Sequence, residues 1–171
     1  MTIRPATAAD LPSLQDLEVA AGALFRAIGM ADIAEHPPPP LEAFEHARAA
    51  GRLWVVTDAD DRPAGFVLTE IVDGAAHIEQ VSVHPDQQGR GLGRALIDHV
   101  GSWAVAQGLT ALTLSTFRSV PWNAPYYARL GFVELSPDEL TSGLRVVLEA
   151  ETAFGLDPAA RVFMRRPAPD Q

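Results

Sequence analysis

Between two stretches of regular apolar patterning the chain reads His84-Pro85-Asp86-Gln87-Gln88-Gly89-Arg90-Gly91-Leu92-Gly93-Arg94. Glycines at alternate positions let the backbone adopt conformations closed to other residues and let a ligand approach it closely. The segment follows an expected strand and opens an expected helix. Successive N–H groups at such a helix start point at one spot, which favours an anion such as a pyrophosphate. Arg90 and Arg94 can add charge-assisted hydrogen bonds. The spacing rejects a dinucleotide fingerprint. That pattern needs its third glycine three residues after the second and an acid about 20 residues onward. Position 94 is Arg instead, the acid is missing, and hairpin strands precede the segment. A bare structural turn is the remaining alternative.

Upstream, Glu79 stands in an expected strand, Ala75 to Val83, whose other residues are mostly apolar. An acid in that setting is expected to be desolvated, with its pKa raised toward the range of a general base. His77 lies two residues earlier and shares the face of Glu79 on a regular strand. The plainer alternative is that both face water at a strand edge. Ser82 and Ser115 show no clear Ser-His-Asp order. His36, His46, His84 and His99 form no metal-ligand grouping with a carboxylate, so no metal is expected.

These residues need a scaffold, and the patterning supplies one. Ile3 to Pro5 reads as a first strand. Asp10 can cap a helix with Pro12 in its first turn, and Leu14, Leu17, Ala21, Leu24, Phe25 and Ile28 recur at helical spacing. A looser stretch runs from Gly29 to Pro40, ending in the stiff extended run Pro37 to Pro40. Leu41 to Ala50 is a second helix stopped by Gly51. Leu53 to Thr57, Pro63 to Ile71 and Ala75 to Val83 form a meander with an Asp73-Gly74 hairpin turn. Leu92, Leu96, Val100 and Trp103 mark a helix ending at Gly108, followed by a strand from Leu109 to Thr116. Asn123 can cap a short helix that closes at Gly131, before a strand from Phe132 to Leu135. Ser136 to Glu139 has capping-box spacing, which predicts a helix from Pro137 to about Phe154. Arg161 to Arg165 is the last strand. Hairpin-linked strands followed by strand–helix–strand units predict a mixed α/β sheet with helices on both faces.

The chain has 171 residues, of which 47% are apolar and 20% charged. That is enough to build a core and suits one domain, residues 1–171. Thirteen basic residues, all arginine, stand against 22 acids, for a net charge of −9. The acidic balance argues against nucleic acid or an anionic membrane as partner and mildly suits a cationic acceptor. No cysteine means no thiol nucleophile, zinc–thiolate site or disulfide; no lysine means no phosphate-loop or Schiff-base lysine. The first residues lack the apolar run of a signal peptide, and no stretch of about 18 apolar residues is present. The cytoplasm is the expected location.

Gln88-Gly89-Arg90-Gly91-Leu92-Gly93 resembles the Q/R-x-x-G-x-G/A motif of the GNAT superfamily of acyl-CoA-dependent N-acyltransferases, and Val81 to Pro85 resembles the end of that family's fourth strand. Asn123 to Phe132 is similar to its second signature, N…Y-x-x-x-G-F. The element order matches over nearly the whole chain; the expected helix 137–154 matches least. The resemblance implies a mostly antiparallel sheet of six to seven strands, splayed between the fourth and fifth. It implies acetyl transfer from acetyl-CoA to a primary amine, small molecule or peptide, without a metal. Gln88, Gly89, Arg90, Gly91, Leu92, Gly93 and Arg94 would bind the cofactor, the amides of Gly89 to Arg94 holding its pyrophosphate. Val81, Ser82 and Val83 would face the pantetheine arm, with the Val81 N–H polarising the thioester. Glu79, or His77, would be the general base. Tyr127 would protonate the departing thiolate, and Asn123 would contact the cofactor. Phe25, Arg26, Met30, Phe117, Arg118 and Trp122 are weaker candidates for the acceptor pocket. Homodimers are frequent in such a family. The alternative is a catalytically inactive CoA-binding module on the same scaffold.

Overall fold

The structure, a computed structural model, describes residues 1–170. Its strands are β1 (Thr2–Pro5), β2 (Leu53–Thr57), β3 (Pro63–Val72), β4 (Ala75–Val83), β5 (Ala111–Phe117), β6 (Val133–Glu134) and β7 (Arg161–Pro167). Its helices are α1 (Leu11–Gly22), α2 (Ala31–Ala34), α3 (Leu41–Ala49), α4 (Leu92–Ala106), α5 (Ala124–Arg129) and α6 (Ser142–Ala153). The strands form one seven-stranded mixed sheet in the order β1-β2-β3-β4-β5-β7-β6. β4 and β5 run parallel, while the β1–β2, β2–β3, β5–β7 and β6–β7 pairs are antiparallel. This is the mixed α/β class expected from the residue pattern. Among the described residues, no helix is long and apolar enough to cross a membrane. The chain divides into two compact units, Met1–Thr69 with Gln80–His99, and Glu70–Glu79 with the residues from Val100 onward.

In the first unit, the leucine stripe of α1 closes onto α3 and the sheet. Leu11, Leu14 and Leu17 are buried with Phe44, Ala47, Leu53, Val55, Phe66 and Leu68. Phe44 and Phe66 meet edge to face at 5.4 Å, and each buried leucine contributes about 2 kcal/mol of transfer free energy. Asp10 does not cap α1 through its side chain, contrary to the pattern-based expectation. Its carboxylate instead accepts from the Thr7 N–H at 2.7 Å and from Arg4 Nη1 at 2.7 Å, fixing the chain as it enters the helix. The loose stretch contains the short α2. Gly65 matters for packing: a Cβ there would lie 2.9 Å from the Ser82 carbonyl and 3.3 Å from Val83 Cγ2. Only glycine lets β3 and β4 approach this closely.

In the second unit, Asp73 and Gly74 have φ of 49° and 76°, the two left-handed positions a type I′ hairpin requires. The parallel register of β4 with β5 runs from Ala75↔Ala111 to Ile78↔Leu114, whereas β4 itself continues to Val83. β7 pairs with β5 from Ala111↔Pro167 to Phe117↔Arg161. The helix expected from Pro137 to Phe154 is two elements. The Ser136/Glu139 capping box closes only a 3-10 turn at Pro137–Glu139; Leu140 then extends at ψ 124°, and Thr141 caps α6 by accepting from the Leu144 N–H.

Candidate functional site

In the first unit, β4 leads directly into the glycine segment. The His84 N–H donates to Ala64 O at 2.9 Å, tying the strand end to β3. A 3-10 turn follows at Pro85–Gln87, in which His84 Nδ1 accepts from the Asp86 N–H at 3.2 Å. Gly89 and Gly91 then take φ of 76° and 73°. A Cβ at either position would meet nothing within 4 Å, so glycine is required for conformation, and the space over the backbone is open. The Ala95 N–H donates to Gly91 O at 3.0 Å, so the amides of Leu92, Gly93 and Arg94 precede any intrahelical acceptor. Leu92 is buried and anchors this end of α4, while Gln88, Arg90 and Arg94 are exposed. Arg94 pairs with Asp98 one turn on, at 3.6 Å. An exposed helix start with free amides, left-handed glycines and two arginines is chemically fit for a diphosphate.

The last residues of β4 present Val81 and Val83 half-buried and Ser82 buried. A residue the motif reading passed over joins them. Glu18, from α1, accepts through Oε2 from Ser82 Oγ at 2.5 Å and through Oε1 from Gln80 Nε2 at 2.9 Å. Burial pushes its pKa up, against the opposing pull of those two hydrogen bonds. The signal was in the helix pattern: Glu18 stands four residues after Leu14 and seven after Leu11, on the buried stripe. Phe25 and Met30 of this unit are half-buried, and Arg26 is exposed.

In the second unit, His77 and Glu79 part company. His77 is 2% exposed, with its Nδ1 2.9 Å from Thr113 Oγ1 and its ring stacked on Phe163 at 6.5 Å. Burial lowers its pKa to about 4, which leaves a neutral imidazole with little affinity for an ammonium proton at pH 7. Glu79 is exposed, so the desolvation expected of an acid in an apolar strand is absent. His77 and Glu79 lie on one face by the strand's period of two; the burial that covers Ala75 to Ile78 ends at Glu79, where water reaches the side chain.

Tyr127 is half-buried on α5, its ring 5.9 Å from Phe132 and 5.4 Å from Tyr126. Asn123 does not cap α5 through its side chain, contrary to expectation. Its Oδ1 accepts from Thr116 Oγ1 at 2.8 Å and from the Phe117 N–H at 3.4 Å, so it pins the segment before α5 to the end of β5. Phe117 lies under the Arg161 guanidinium, Arg118 pairs with Glu134, and Trp122 is half-buried. Ser115, Glu151 and Arg161 form a further polar cluster the sequence did not suggest. Ser115 Oγ donates to Glu151 at 2.9 Å, and Arg161 Nη2 donates to both at 3.2 Å.

Residues 21–132 match the sequence model of the Acetyltransferase (GNAT) family. Over 76 residues the chain is 38% identical to the [ribosomal protein bS18]-alanine N-acetyltransferase of Salmonella typhimurium, covering 44% of this chain and 51% of that protein. The chain thus spans about half the length of the curated relatives it matches. Its fold is similar to the crystal structure of a GNAT-family acetyltransferase from Staphylococcus aureus, with a TM-score of 0.76, 17% identity and coverage of 98% and 99% of the two chains. It is also similar to the PaiA N-acetyltransferase of Thermoplasma acidophilum in complex with coenzyme A, with a TM-score of 0.70, 16% identity and coverage of 97% and 98%.

Proposed function

The chain belongs to the acetyltransferase (GNAT) family, and from that membership we propose that it moves an acetyl group directly from acetyl-CoA to a primary amine. The observation that carries the reading is the pair of left-handed glycines, Gly89 and Gly91, with open space above them at the start of α4. The reading takes residues 1–171 as one cytoplasmic acetyltransferase domain working without a metal.

Acetyl-CoA supplies an activated thioester carbonyl when bound. The amides of Gly89 to Arg94, aided by Gln88, Arg90 and Arg94, bind its diphosphate. Val81, Ser82 and Val83 align the pantetheine arm, and the Val81 N–H polarises the carbonyl as a fixed donor. Glu79 accepts the proton that the ammonium must lose before attack, directly or through water. Tyr127 gives a proton to the departing thiolate, and Asn123 orients the segment that carries it. His77, neutral and bonded to Thr113, supports the strand that presents Glu79 rather than exchanging protons. The acceptor fits a peptide or small cationic amine. The bS18-alanine acetyltransferase relative acts on a protein, and the net charge of −9 favours a cation.

The test is Glu79→Gln, followed by acetyl-CoA binding and by CoA release across a panel of primary amines. We expect kcat/KM to fall by about 10²- to 10⁴-fold with acetyl-CoA affinity unchanged. Unaltered turnover would remove Glu79 from the mechanism. Acetyl-CoA binding by the wild type with no amine-dependent CoA release would favour an inactive CoA-binding module instead.

A further inference from the structure

α1 turns a carboxylate inward where its neighbours on the same stripe are leucines. Glu18 is half-buried, and each of its oxygens already accepts one hydrogen bond, from Ser82 and from Gln80. Gln80 Nε2 also donates to Ser82 Oγ at 3.2 Å, closing a three-residue network. Both partners are neutral. A carboxylate offers about four acceptor positions, so half of that capacity remains. Withdrawing such a charge from water is costly without a cation, and burial correspondingly raises its pKa. A tie between α1 and β4 alone would need only a neutral side chain of this length. The placement is the second observation: Gln80 and Ser82 are the two residues that flank Val81, the residue whose N–H is assigned to the thioester.

We propose that Glu18 is an acceptor-binding residue, whose carboxylate, framed by Ser82 and Gln80, receives the ammonium group of the amine substrate beside Val81. This rests on the acetyl-transfer reading above. Glu18 selects cationic amines, while the later removal of the proton is left to Glu79. No bond is made or broken at Glu18.

The experiment compares the wild type with Glu18→Gln, using acetyl-CoA binding by calorimetry and CoA release at pH 7. The amines are an N-terminal alanine peptide, spermidine and free lysine, and hydroxylamine serves as a small nucleophile that is neutral at this pH. The expected result is a rise in KM of ten-fold or more for the best cationic amine. The acetyl-CoA Kd and the rate with hydroxylamine should stay within about two-fold. A merely structural role would lower both rates in parallel, and that outcome, or an unchanged amine KM, overturns the proposal. Acetyl-CoA binding without any amine-stimulated CoA release overturns it too. Failure of acetyl-CoA to bind the wild type is a different result, which removes the acetyl-transfer reading itself. Should the amide variant not fold, Glu18→Asp keeps the charge on a shorter arm. It is expected to raise the amine KM with acetyl-CoA affinity intact, and an unchanged KM there counts against the proposal.

Discussion

Two titratable residues, His77 and Glu79, stand two positions apart on β4, and burial gives them opposite properties. His77 sits among Thr113 and Phe163 with its pKa lowered by burial to about 4, whereas Glu79 is exposed. The His77 shift has a defined consequence for stability. The folded state holds the neutral ring while the unfolded chain binds a proton near pH 6.5, so stability is fully present above about pH 6.5. It falls as the pH drops from there toward 4. A shift of this size corresponds to about 3 kcal/mol across the window. Denaturant unfolding of the wild type and His77→Gln at pH 7, 6, 5 and 4 checks it. The wild type should lose stability more steeply than the variant over this range, and equal slopes would show that His77 does not carry the effect. At this scale the sequence was partly legible. The left-handed glycine turn was readable from its spacing, whereas His77 and Glu79 were marked only as polar residues in a mostly apolar strand and Tyr127 by the second signature. The burial difference between His77 and Glu79 was not readable, because a strand's period of two gives them one face and says nothing of what covers each position. Glu18 was missed for a related reason: a charged residue in a helical stripe reads as a break in the pattern until the facing Gln80 and Ser82 are known.

Among the elements, β4 is the one that everything proposed for the site depends on, and Gly65 sets its approach to β3. A methyl group at position 65 would meet the Ser82 carbonyl at 2.9 Å and Val56 Cγ1 at 3.1 Å. Neither backbone nor a buried valine yields cheaply, so Gly65→Ala is expected to destabilise the protein by about 1–3 kcal/mol. That lowers the melting temperature by several degrees, at about 2–4 °C per kcal/mol for a chain of this size. A melting temperature within one degree of wild type would mean that the strands separate without cost. Element identity and order were readable because hairpin glycines, leucine stripes and caps act locally. Ala75–Val83 came out with its observed bounds, and Asp73-Gly74 with its turn. The region after Ser136 did not, since two cap signals stand in series there. The Ser136/Glu139 box and Thr141 each start a helix, and only the extended Leu140 between them shows that the first is a single turn. Asn123 misled in the same way. A residue type that favours caps was recruited across to Thr116 and Phe117 instead, a choice made by tertiary contacts and invisible to local spacing.

For the molecule as a whole, the seven-stranded mixed sheet rests on the complete succession of strands and helices, and the family match on residues 21–132, rather than on any one residue. Composition had already narrowed the chemistry. A chain with no cysteine, no lysine and a net charge of −9 is poorly suited to covalent thiol or Schiff-base catalysis and to polyanionic partners, and mildly suits a cationic acceptor. The central claim is that the glycine segment and the end of β4 bind acetyl-CoA. Calorimetric titration of the 171-residue chain with acetyl-CoA, with NADH as the control ligand, addresses it most directly. The expected result is one-site binding in the micromolar range, about −8 kcal/mol, and no heat with NADH. A folded protein that gives no binding signal with acetyl-CoA would contradict the claim.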